Sequence, residues 1–365
     1  LGVDVFFGGG RFGGADRVEV GGATLVFRRA VLATGSRPAL PPIPGLAEAG
    51  FLTNETVFDL AERPARLAVI GGGAIGCELA QAFARLGSRV TLLESGPRLL
   101  PRDDPDAAAV VVAALSRDGV DVRTGIRIER VEPADAAARL AMAGEALEAD
   151  RILVATGRVP NVEDAGLDAA GIESGPGGVR VDDRLRTTNP RVWAAGDVVG
   201  PLRFTHLSDA HARIAVRNAL FPGSAKASDL VVPWVTYTDP EVAHVGHTPE
   251  SAAEAGIEVD TFTVELRDVD RAILDGTTGG FVRVHARKGK GEIVGATLVA
   301  PHAGETIGEV TLAMTAGIGL AKLSETIHPY PTVAEALRRT GDAHRRKSLT
   351  PRAKWVIEKW LAWRR

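Results

Sequence analysis

Three glycines in one short segment have the spacing of a phosphate-binding loop. They are Gly71, Gly73 and Gly76, and they lie between an apolar stretch, 67–70, and a stretch of good helix formers, 77–86. In a strand–turn–helix unit the first glycine permits the tight turn, the second lets the backbone approach a pyrophosphate, and the third lets the helix pack on the strand. The helix N-terminus offers N–H groups and partial positive charge to the phosphates. The segment therefore predicts a dinucleotide site.

A carboxylate at the end of the next predicted strand also favours a dinucleotide. Glu94 follows Gly71 by 23 residues, at the position where an acid accepts hydrogen bonds from ribose hydroxyls. Because this acid would repel a 2′-phosphate, NADH is predicted over NADPH, although Arg98 lies close in sequence and weakens the preference. The glycines and the acid together disfavour the alternative, a glycine-rich turn in some other α/β fold.

The elements that position these residues are predicted from apolar periodicity. Residues 64–158 alternate strand and helix, which is typical of a parallel sheet, and from 231 onward longer strands and then helices predict a separate α+β domain. The predicted strands are Val18–Val20, Thr24–Phe27, Ala30–Ala33, Leu67–Ile70, Arg89–Glu94, Val120–Val122, Arg151–Ala155, Val192–Ala195, Phe281–Ala286 and Glu292–Ala300. The predicted helices are Cys77–Leu86, Asp106–Arg117, Ser208–Leu220, Glu305–Ala316 and Val333–Arg339.

Composition excludes several classes of protein. A length of 365 residues favours two or three domains, and the formal net charge of −3 does not favour nucleic acid as a partner. The one cysteine, Cys77, allows no internal disulfide and is predicted to be a small buried residue. No apolar run is long enough for a transmembrane helix. A cytoplasmic location is predicted.

Four motifs in order resemble one family. The residues are Ala-Thr-Gly at 33–35 and again at 155–157, the glycine loop, Ala-Ala-Gly-Asp-Val at 194–198, and Pro-Thr-Val-Ala-Glu at 331–335. Over nearly the whole chain they resemble the pyridine nucleotide-disulfide oxidoreductases, which include dihydrolipoamide dehydrogenase, glutathione reductase and mercuric reductase. The resemblance implies an α/β fold with two Rossmann-like three-layer domains, one for FAD and one for NAD, plus a C-terminal α+β dimerisation domain.

The same resemblance implies where the domains begin and end. It assigns 1–62 and 159–229 to an FAD-binding domain, 63–158 to an NAD(P)-binding domain, and 230–365 to the dimerisation domain. The family's first GxGxxG, for the ADP half of FAD, and its Cys-x4-Cys redox pair do not occur in this sequence. We therefore expect an incomplete FAD domain that lacks about 100 upstream residues, the size of a βαβ half with its flanks. The chain alone is then not expected to complete the reaction.

Five further residues match the family's cofactor motifs. Asp197 matches the aspartate at the FAD ribityl chain, Gly157 lies where backbone approaches the nicotinamide, and Glu78 matches a glutamate near the nicotinamide and the flavin face. Gly35 and Gly196 also belong to the cofactor-binding motifs. The alternatives are a turn aspartate for Asp197 and a solvated acid in a first helical turn for Glu78. No metal site is predicted.

The C-terminal motif departs from the disulfide reductases, where it is His-Pro-Thr/Ser-x-x-Glu. Glu335 matches the glutamate, but Tyr330 occupies the position of the catalytic histidine. A phenol with a pKa of about 10 is a poor base at neutral pH, but it donates a hydrogen bond. A tyrosine here is similar to mercuric reductase, which usually ends with a cysteine pair that this sequence lacks.

The resemblance implies a homodimeric oxidoreductase in which NAD(P)H reduces FAD and a dithiol passes electrons to a small acceptor. That acceptor is a disulfide, a metal ion or another small oxidant. Tyr330 and Glu335 would complete the partner subunit's site. Three alternatives remain open: His328 as the working base in a shifted register, a dihydrolipoamide dehydrogenase, and an inactive nucleotide-binding or dimerisation fragment.

The C-terminal segment is basic and rich in tryptophan. Residues 338–365 contain ten Lys or Arg and two acids, with Trp355, Trp360 and Trp363 in a helix predicted to start near Thr350. Such a helix favours weak contact with a membrane surface. The alternative is a helix that docks on its own domain or on a partner subunit.

Overall fold

Short strands and a few longer helices make up the chain, which is described by a computed structural model for residues 2–133, 137–222, 224–349 and 351–364. The described strands are β1 (Arg11–Gly14), β2 (Arg17–Val20), β3 (Ala23–Val26), β4 (Ala30–Leu32), β5 (Ser36–Pro38), β6 (Arg66–Ile70), β7 (Arg89–Leu93), β8 (Asp121–Arg123), β9 (Ile128–Pro133), β10 (Ala138–Met142), β11 (Glu145–Ala149), β12 (Arg151–Val154), β13 (Arg158–Pro160), β14 (Ser174–Gly175), β15 (Gly178–Val179), β16 (Val192–Ala194), β17 (Pro233–Thr236), β18 (Glu241–Gly246), β19 (Val259–Glu265), β20 (Phe281–Arg287) and β21 (Ile293–Ala300). The described helices are α1 (Leu46–Ala49), α2 (Ala74–Arg85), α3 (Pro105–Arg117), α4 (Thr205–Leu220), α5 (Pro249–Glu254), α6 (Asp270–Asp275), α7 (Ala303–Thr315), α8 (Leu320–Glu325), α9 (Glu335–Ser348) and α10 (Pro351–Trp363).

These elements divide into two units. One contains the described residues up to Pro41 together with Gly157–Leu230, and the other contains Pro42–Thr156 with the described residues from Val231 onward. No helix among the described residues is long and apolar enough to cross a bilayer. The mixed α/β fold predicted from the sequence is confirmed, whereas the finer domain boundaries stay a prediction.

The first unit is built on a short parallel pair. β4 and β16 run side by side with Ala30 opposite Val192, and β1–β3 form an antiparallel meander. α4 packs against β16. Leu32, Trp193 and Ile214 lie in the core between these elements. The strand ends and the start of α4 therefore meet at one edge.

A parallel sheet forms the first part of the second unit, in the order β12-β6-β7-β8. β6 and β7 are buried over nearly their whole length, because Leu, Ala, Val and Ile fill them. α2 connects β6 to β7, and α3 connects β7 to β8. The predicted strand–helix alternation is thus confirmed as far as β8.

After β8 the prediction of strand–helix alternation is wrong. Residues 128–149 form an antiparallel three-stranded sheet, β9–β11, where a further helix would continue the alternation. Leu140 is buried between its neighbours, and the turn at Gly144 has a φ of 80°. That positive φ suits a tight connection between adjacent strands.

The last part of the second unit is a five-stranded antiparallel sheet, β17-β18-β21-β20-β19, with α7 and α9 packed against it. All eight residues of β21 are buried, which explains its continuous apolar run. The change to longer strands beyond 231 was predicted and is confirmed, and the structure shows that these strands pair antiparallel.

Candidate functional site

The glycine loop between β6 and α2 has the geometry that its spacing predicts. Gly71 has a φ of 109°, and a Cβ there would lie 2.5 Å from the Ala155 carbonyl oxygen. A Cβ on Gly76 would collide with the Gly71 carbonyl oxygen. At Gly73 a Cβ would have no neighbour within 4 Å. Two glycines are therefore required by packing, and the third leaves open space.

That open space adjoins the N-terminus of α2. Gly73 is the N-cap residue, and no side chain among the described residues caps this end of the helix. The first N–H groups of a helix have no partner within the helix. Together with the helix dipole they can hold an anion such as a pyrophosphate.

Glu94 lies at the loop, as predicted. One carboxylate oxygen accepts a hydrogen bond from Gly72 N–H at 2.7 Å, and the other accepts one from Gly96 N–H at 2.6 Å. Arg98 donates to the carbonyl oxygens of Leu100 and Pro101, at 2.7 and 2.8 Å. In this conformation the guanidinium of Arg98 binds backbone, so Glu94 is the charged group engaged with the loop itself.

Two other residues of α2, Cys77 and Glu78, are in surroundings that raise their pKa values. Cys77 is fully buried, and burial raises the pKa of its thiol to about 12. It is therefore a neutral thiol at pH 7, and the predicted burial is confirmed. Glu78 is half-buried rather than solvated, and its carboxylate accepts a hydrogen bond from Tyr237 N–H at 2.8 Å. Burial raises the pKa of Glu78.

A cavity of about 470 Å³ opens in the first unit, at the ends of β4 and β16 and the start of α4. Asp197 lines it, and one of its oxygens accepts a hydrogen bond from the Ser36 hydroxyl at 2.7 Å. The Arg158 Nε donates to the same hydroxyl at 2.7 Å and lies 3.6 Å from that carboxylate oxygen. Gly35 and Gly196 also line the cavity, with φ values of 70° and 78°. The structure thus brings three of the predicted cofactor-binding residues together: Gly35, Gly196 and Asp197.

Arg203 lines the same cavity and was missed from the sequence. Its Nε is buried and has no hydrogen-bond partner among the described residues. A buried donor without a partner is costly, so it indicates a place for an acceptor group. The only signal in the sequence is a basic residue between the turn at Asp197 and the helix that follows. Gly157, also in this unit, has a φ of 119°, and its carbonyl oxygen accepts a hydrogen bond from Ala39 N–H at 2.9 Å.

Within the C-terminal motif, Tyr330 is exposed at the surface of the second unit, whereas Glu335 is buried. The Tyr330 hydroxyl donates to an Asp270 carboxylate oxygen at 2.7 Å, and this hydrogen bond raises the pKa of Tyr330. One oxygen of Glu335 accepts from Arg338 and Arg339, at 3.0 and 3.3 Å. The other is buried without a partner among the described residues. Tyr330 is thus a phenol donor at neutral pH, in agreement with its predicted chemistry.

His328 has a different acidic partner. Its Nε2 lies 2.9 Å from a Glu309 carboxylate oxygen, and its Nδ1 lies 3.1 Å from the Thr326 carbonyl oxygen. Both ring nitrogens therefore face oxygen acceptors, which fixes the orientation of the imidazole. Glu309 and Asp270 are distant in sequence from the motif, so nothing local in the sequence signals either pairing.

Comparison with known proteins identifies the relatives of this chain. The sequence model of the family described as pyridine nucleotide-disulphide oxidoreductase matches residues 1–219, and the model of that family's dimerisation domain matches 232–340. The chain is 38% identical to a mercuric reductase of Lysinibacillus sphaericus over 340 residues, which are 92% of this chain but 62% of that protein. It is 36% identical to a dihydrolipoyl dehydrogenase of Thermus scotoductus over 361 residues, covering 95% of this chain and 76% of the relative.

Solved structures agree with these relationships. The HOCl-induced flavoprotein disulfide reductase RclA from Escherichia coli superposes with a TM-score of 0.87 at 31% identity, covering 93% of this chain and 79% of that one. LpdA from Mycobacterium tuberculosis superposes with a TM-score of 0.85 at 28% identity, over 92% and 76% of the two chains. The chain spans about six-tenths of the length of the mercuric reductase above. On both family-model matches, the chain belongs to the pyridine nucleotide-disulphide oxidoreductase family.

Proposed function

We propose that this chain is the nucleotide-binding and dimer-forming part of an FAD-dependent NAD(P)H oxidoreductase of the disulfide or mercuric reductase type. Members of the family use FAD and NAD(P)H, and 63–158 is the proposed NAD(P) domain. Residues 1–62 and 159–229 are the proposed FAD domain, and 230–365 is the proposed dimerisation domain. The observation that carries the proposal is the glycine loop, where packing requires Gly71 and Gly76 while Gly73 leaves room at a helix N-terminus.

A nicotinamide dinucleotide fits this loop by charge and by shape. The N-terminus of α2 would hold the pyrophosphate, and Glu94 would accept hydrogen bonds from the adenosine ribose. The carboxylate would repel a 2′-phosphate, which favours NADH. Glu78, half-buried in the first turns of the same helix, would lie near the nicotinamide.

Part of a flavin fits the cavity of the first unit. Asp197, held by Ser36 and Arg158, would offer a carboxylate to the ribityl hydroxyls. The Arg203 Nε, which has no partner among the described residues, would offer a donor to an acceptor atom. Bound together, the two cofactors supply transfer of a hydride and onward passage of the electron pair. The chain's residues bind and orient them, and the pair would reach a small acceptor through a dithiol.

Tyr330 and Glu335 are proposed to act across a homodimer interface. As a protonated phenol, Tyr330 would donate a hydrogen bond at the acceptor site, and it would not serve as a base at neutral pH. Glu335 would hold the position of this segment through Arg338 and Arg339.

The test is calorimetric titration of the chain with NADH. Gly73→Ala adds a methyl group that meets nothing in the folded chain but occupies the space proposed for the pyrophosphate. We expect it to weaken NADH binding roughly tenfold to a hundredfold, the cost of a modest steric overlap. Gly308→Ala, in α7 with similarly open space, is the matched control and should leave affinity unchanged. No binding by the unmodified chain, or equal binding by all three proteins, contradicts the proposal.

A dihydrolipoamide dehydrogenase is the second candidate, because the chain is similar to a dihydrolipoyl dehydrogenase and has His328 two residues before Tyr330, beside the Glu309 carboxylate. In a longer protein that joins this chain to a segment with the Cys-x4-Cys pair, dihydrolipoamide oxidation that is lost in His328→Gln but kept in Tyr330→Phe would favour it. Turnover that depends on Tyr330 alone would count against it. A chain that binds no FAD, as judged by the flavin absorbance spectrum, would be an inactive module.

A further inference from the structure

The last helix of the chain presents large apolar side chains to solvent. Every side chain of α10 from Lys354 to Trp363 is exposed. Trp355, Trp360 and Trp363 are 60%, 50% and 82% exposed. Protein surfaces rarely leave several large apolar groups together in water unless they bind something. The helix predicted to start near Thr350, a residue outside the described ones, is therefore an interaction surface.

The side chains of α10 are arranged by type around the helix. At 3.6 residues per turn, five apolar side chains share one side: Val356, Ile357, Trp360, Leu361 and Trp363. The other side carries Lys354, Glu358 and Lys359. Trp355 lies on this polar side, with the Lys359 ammonium 6.0 Å from its ring centroid. The helix is thus amphipathic, with basic groups beside an apolar stripe.

The positive charge of the C-terminal segment indicates which kind of partner α10 could bind. Residues 338–365 contain ten Lys or Arg and two acids, whereas the whole chain has a net charge of −3. The α9 cations pair with carboxylates of the folded domain: Arg338 and Arg339 with Glu335, Arg345 with Glu325, and Lys347 with Asp260. Residues 350–365 alone still contain five Lys or Arg and one acid, so the complement of this segment is anionic. Tryptophan with lysine and arginine is the combination that favours the boundary between lipid headgroups and acyl chains. An anionic lipid surface meets both the charge and the apolar stripe.

A second copy of the chain fits less well. Another α10 would carry the same positive charge, and the match to the dimerisation domain ends at Thr340, before α10 begins. A helix of 13 residues is only marginally stable in water by itself, so it gains from placing its apolar side in a less polar medium.

We propose that α10 binds an anionic lipid surface and lies in the plane of that surface. The apolar stripe enters the headgroup boundary, and Lys354 and Lys359 on the polar side contact the anionic headgroups. Arg364, just after the helix end with its guanidinium 4.9 Å from the Trp360 ring centroid, adds a third positive charge at the boundary. This peripheral contact is independent of the proposed redox function, because no cofactor residue lies in α10.

The test is co-sedimentation of the 365-residue chain with vesicles of phosphatidylcholine alone and of equimolar phosphatidylglycerol and phosphatidylcholine. The variant Lys354→Gln/Lys359→Gln/Arg364→Gln removes three positive charges from α10 and the residue that follows it. At about 1 kcal/mol for each basic residue near an anionic surface, we expect roughly a hundredfold fall in binding. The matched control, Arg117→Gln/Arg267→Gln/Lys290→Gln, removes three charges from exposed positions elsewhere and should bind like the unmodified chain.

A second variant tests the apolar stripe. Ile357→Ser/Leu361→Ser keeps every charge and should also bind less. Binding that needs phosphatidylglycerol, weakens in salt and falls in both α10 variants supports the proposal. Equal binding by all four proteins, no binding by the unmodified chain, or α10-dependent self-association without vesicle binding overturns it.

Discussion

The exposed tyrosine of the C-terminal motif shows how one contact decides the chemistry of a residue. Tyr330 is 69% exposed, yet its hydroxyl is tied to Asp270, which lies 60 residues away in sequence. The sequence predicts a phenol at the position of a histidine, and elementary acid–base chemistry then predicts a donor. The identity of the partner could not be predicted, because α6 comes beside the motif only through tertiary packing. The buried Nε of Arg203, which lacks a partner in the part of the chain that the structure describes, could not be predicted for the same reason.

Replacing Asp270 should therefore lower the pKa of Tyr330 toward its ordinary value, because the phenolate would no longer face a carboxylate. The chain has two tyrosines, and an ultraviolet titration follows formation of their phenolates. Tyr237→Phe assigns the step that belongs to Tyr330.

Asp270→Asn should move that step to lower pH. Asp275→Asn is the matched control, because Asp275 lies in the same helix and pairs with Arg271. It should leave the step unchanged. A Tyr330 step at the same pH in Asp270→Asn and the unmodified chain contradicts the proposed contact.

At the scale of elements, apolar periodicity and helix-capping residues in the sequence predict most of the observed helices and strands. The helix predicted at Asp106–Arg117 is observed as Pro105–Arg117, because Asp104 caps it with a hydrogen bond to Asp106 N–H at 2.9 Å and proline suits the first turn. By contrast, α9 extends to Ser348, nine residues beyond its predicted end at Arg339. Charged pairs such as Arg338 with Asp342 stabilise this extension. Its sequence is mostly charged, so apolar periodicity does not predict the helix there.

The antiparallel strands β9–β11 could not be predicted in the same way. β10 and β11 are Ala-Arg-Leu-Ala-Met and Glu-Ala-Leu-Glu-Ala, which contain no β-branched or aromatic residue. Their strand conformation comes from pairing with neighbours and from burial of Leu140, which is tertiary information.

The sheet of the second unit contains buried histidines that should make stability depend on pH. His285 on β20 is fully buried, its Nδ1 lies 2.9 Å from the Thr261 hydroxyl, and burial lowers its pKa to about 4. Burial also lowers the pKa of His244 on β18. Since the unfolded chain titrates near 6.5, it takes up protons between about pH 6.5 and pH 4 that the folded chain does not. The contribution of these neutral imidazoles to the free energy of unfolding is fully present above this window and is lost as the pH falls through it.

We expect His285 alone to remove about 2 kcal/mol of unfolding free energy between about pH 7 and pH 5. Urea unfolding followed by circular dichroism measures this. His285→Gln should be less stable overall but lose that part of the pH dependence. His302→Gln, a change at an exposed histidine, should retain it. Identical pH slopes in His285→Gln and the unmodified chain would count against the buried neutral imidazole.

At the scale of the molecule, exposed apolar residues of the segment that matches the dimerisation domain favour the proposed homodimer. Ile327 is 94% exposed and Leu312 is 65% exposed, and both lie within 232–340. Groups of this kind are buried in dimers, where they contribute through removal of apolar area from water.

Ile327→Asp should therefore weaken self-association at least tenfold, because a carboxylate would have to be desolvated in an apolar interface. Sedimentation equilibrium measures the effect. Val26→Asp changes an apolar side chain of the other unit that is 76% exposed, and it should leave association unchanged. A monomeric unmodified chain, or equal dissociation by both variants, argues against this interface.

The position of the tryptophans has an optical consequence. Three of the five indoles lie on α10 in contact with water, while Trp193 is buried in the first unit and Trp234 is half-buried in the second. Intrinsic emission of the native protein therefore comes largely from the terminal helix, and quenching by a dissolved ion would act there first. A change in tryptophan fluorescence therefore reports mainly the surroundings of one helix. It is a poor measure of whether the hydrophobic cores of the two units have unfolded.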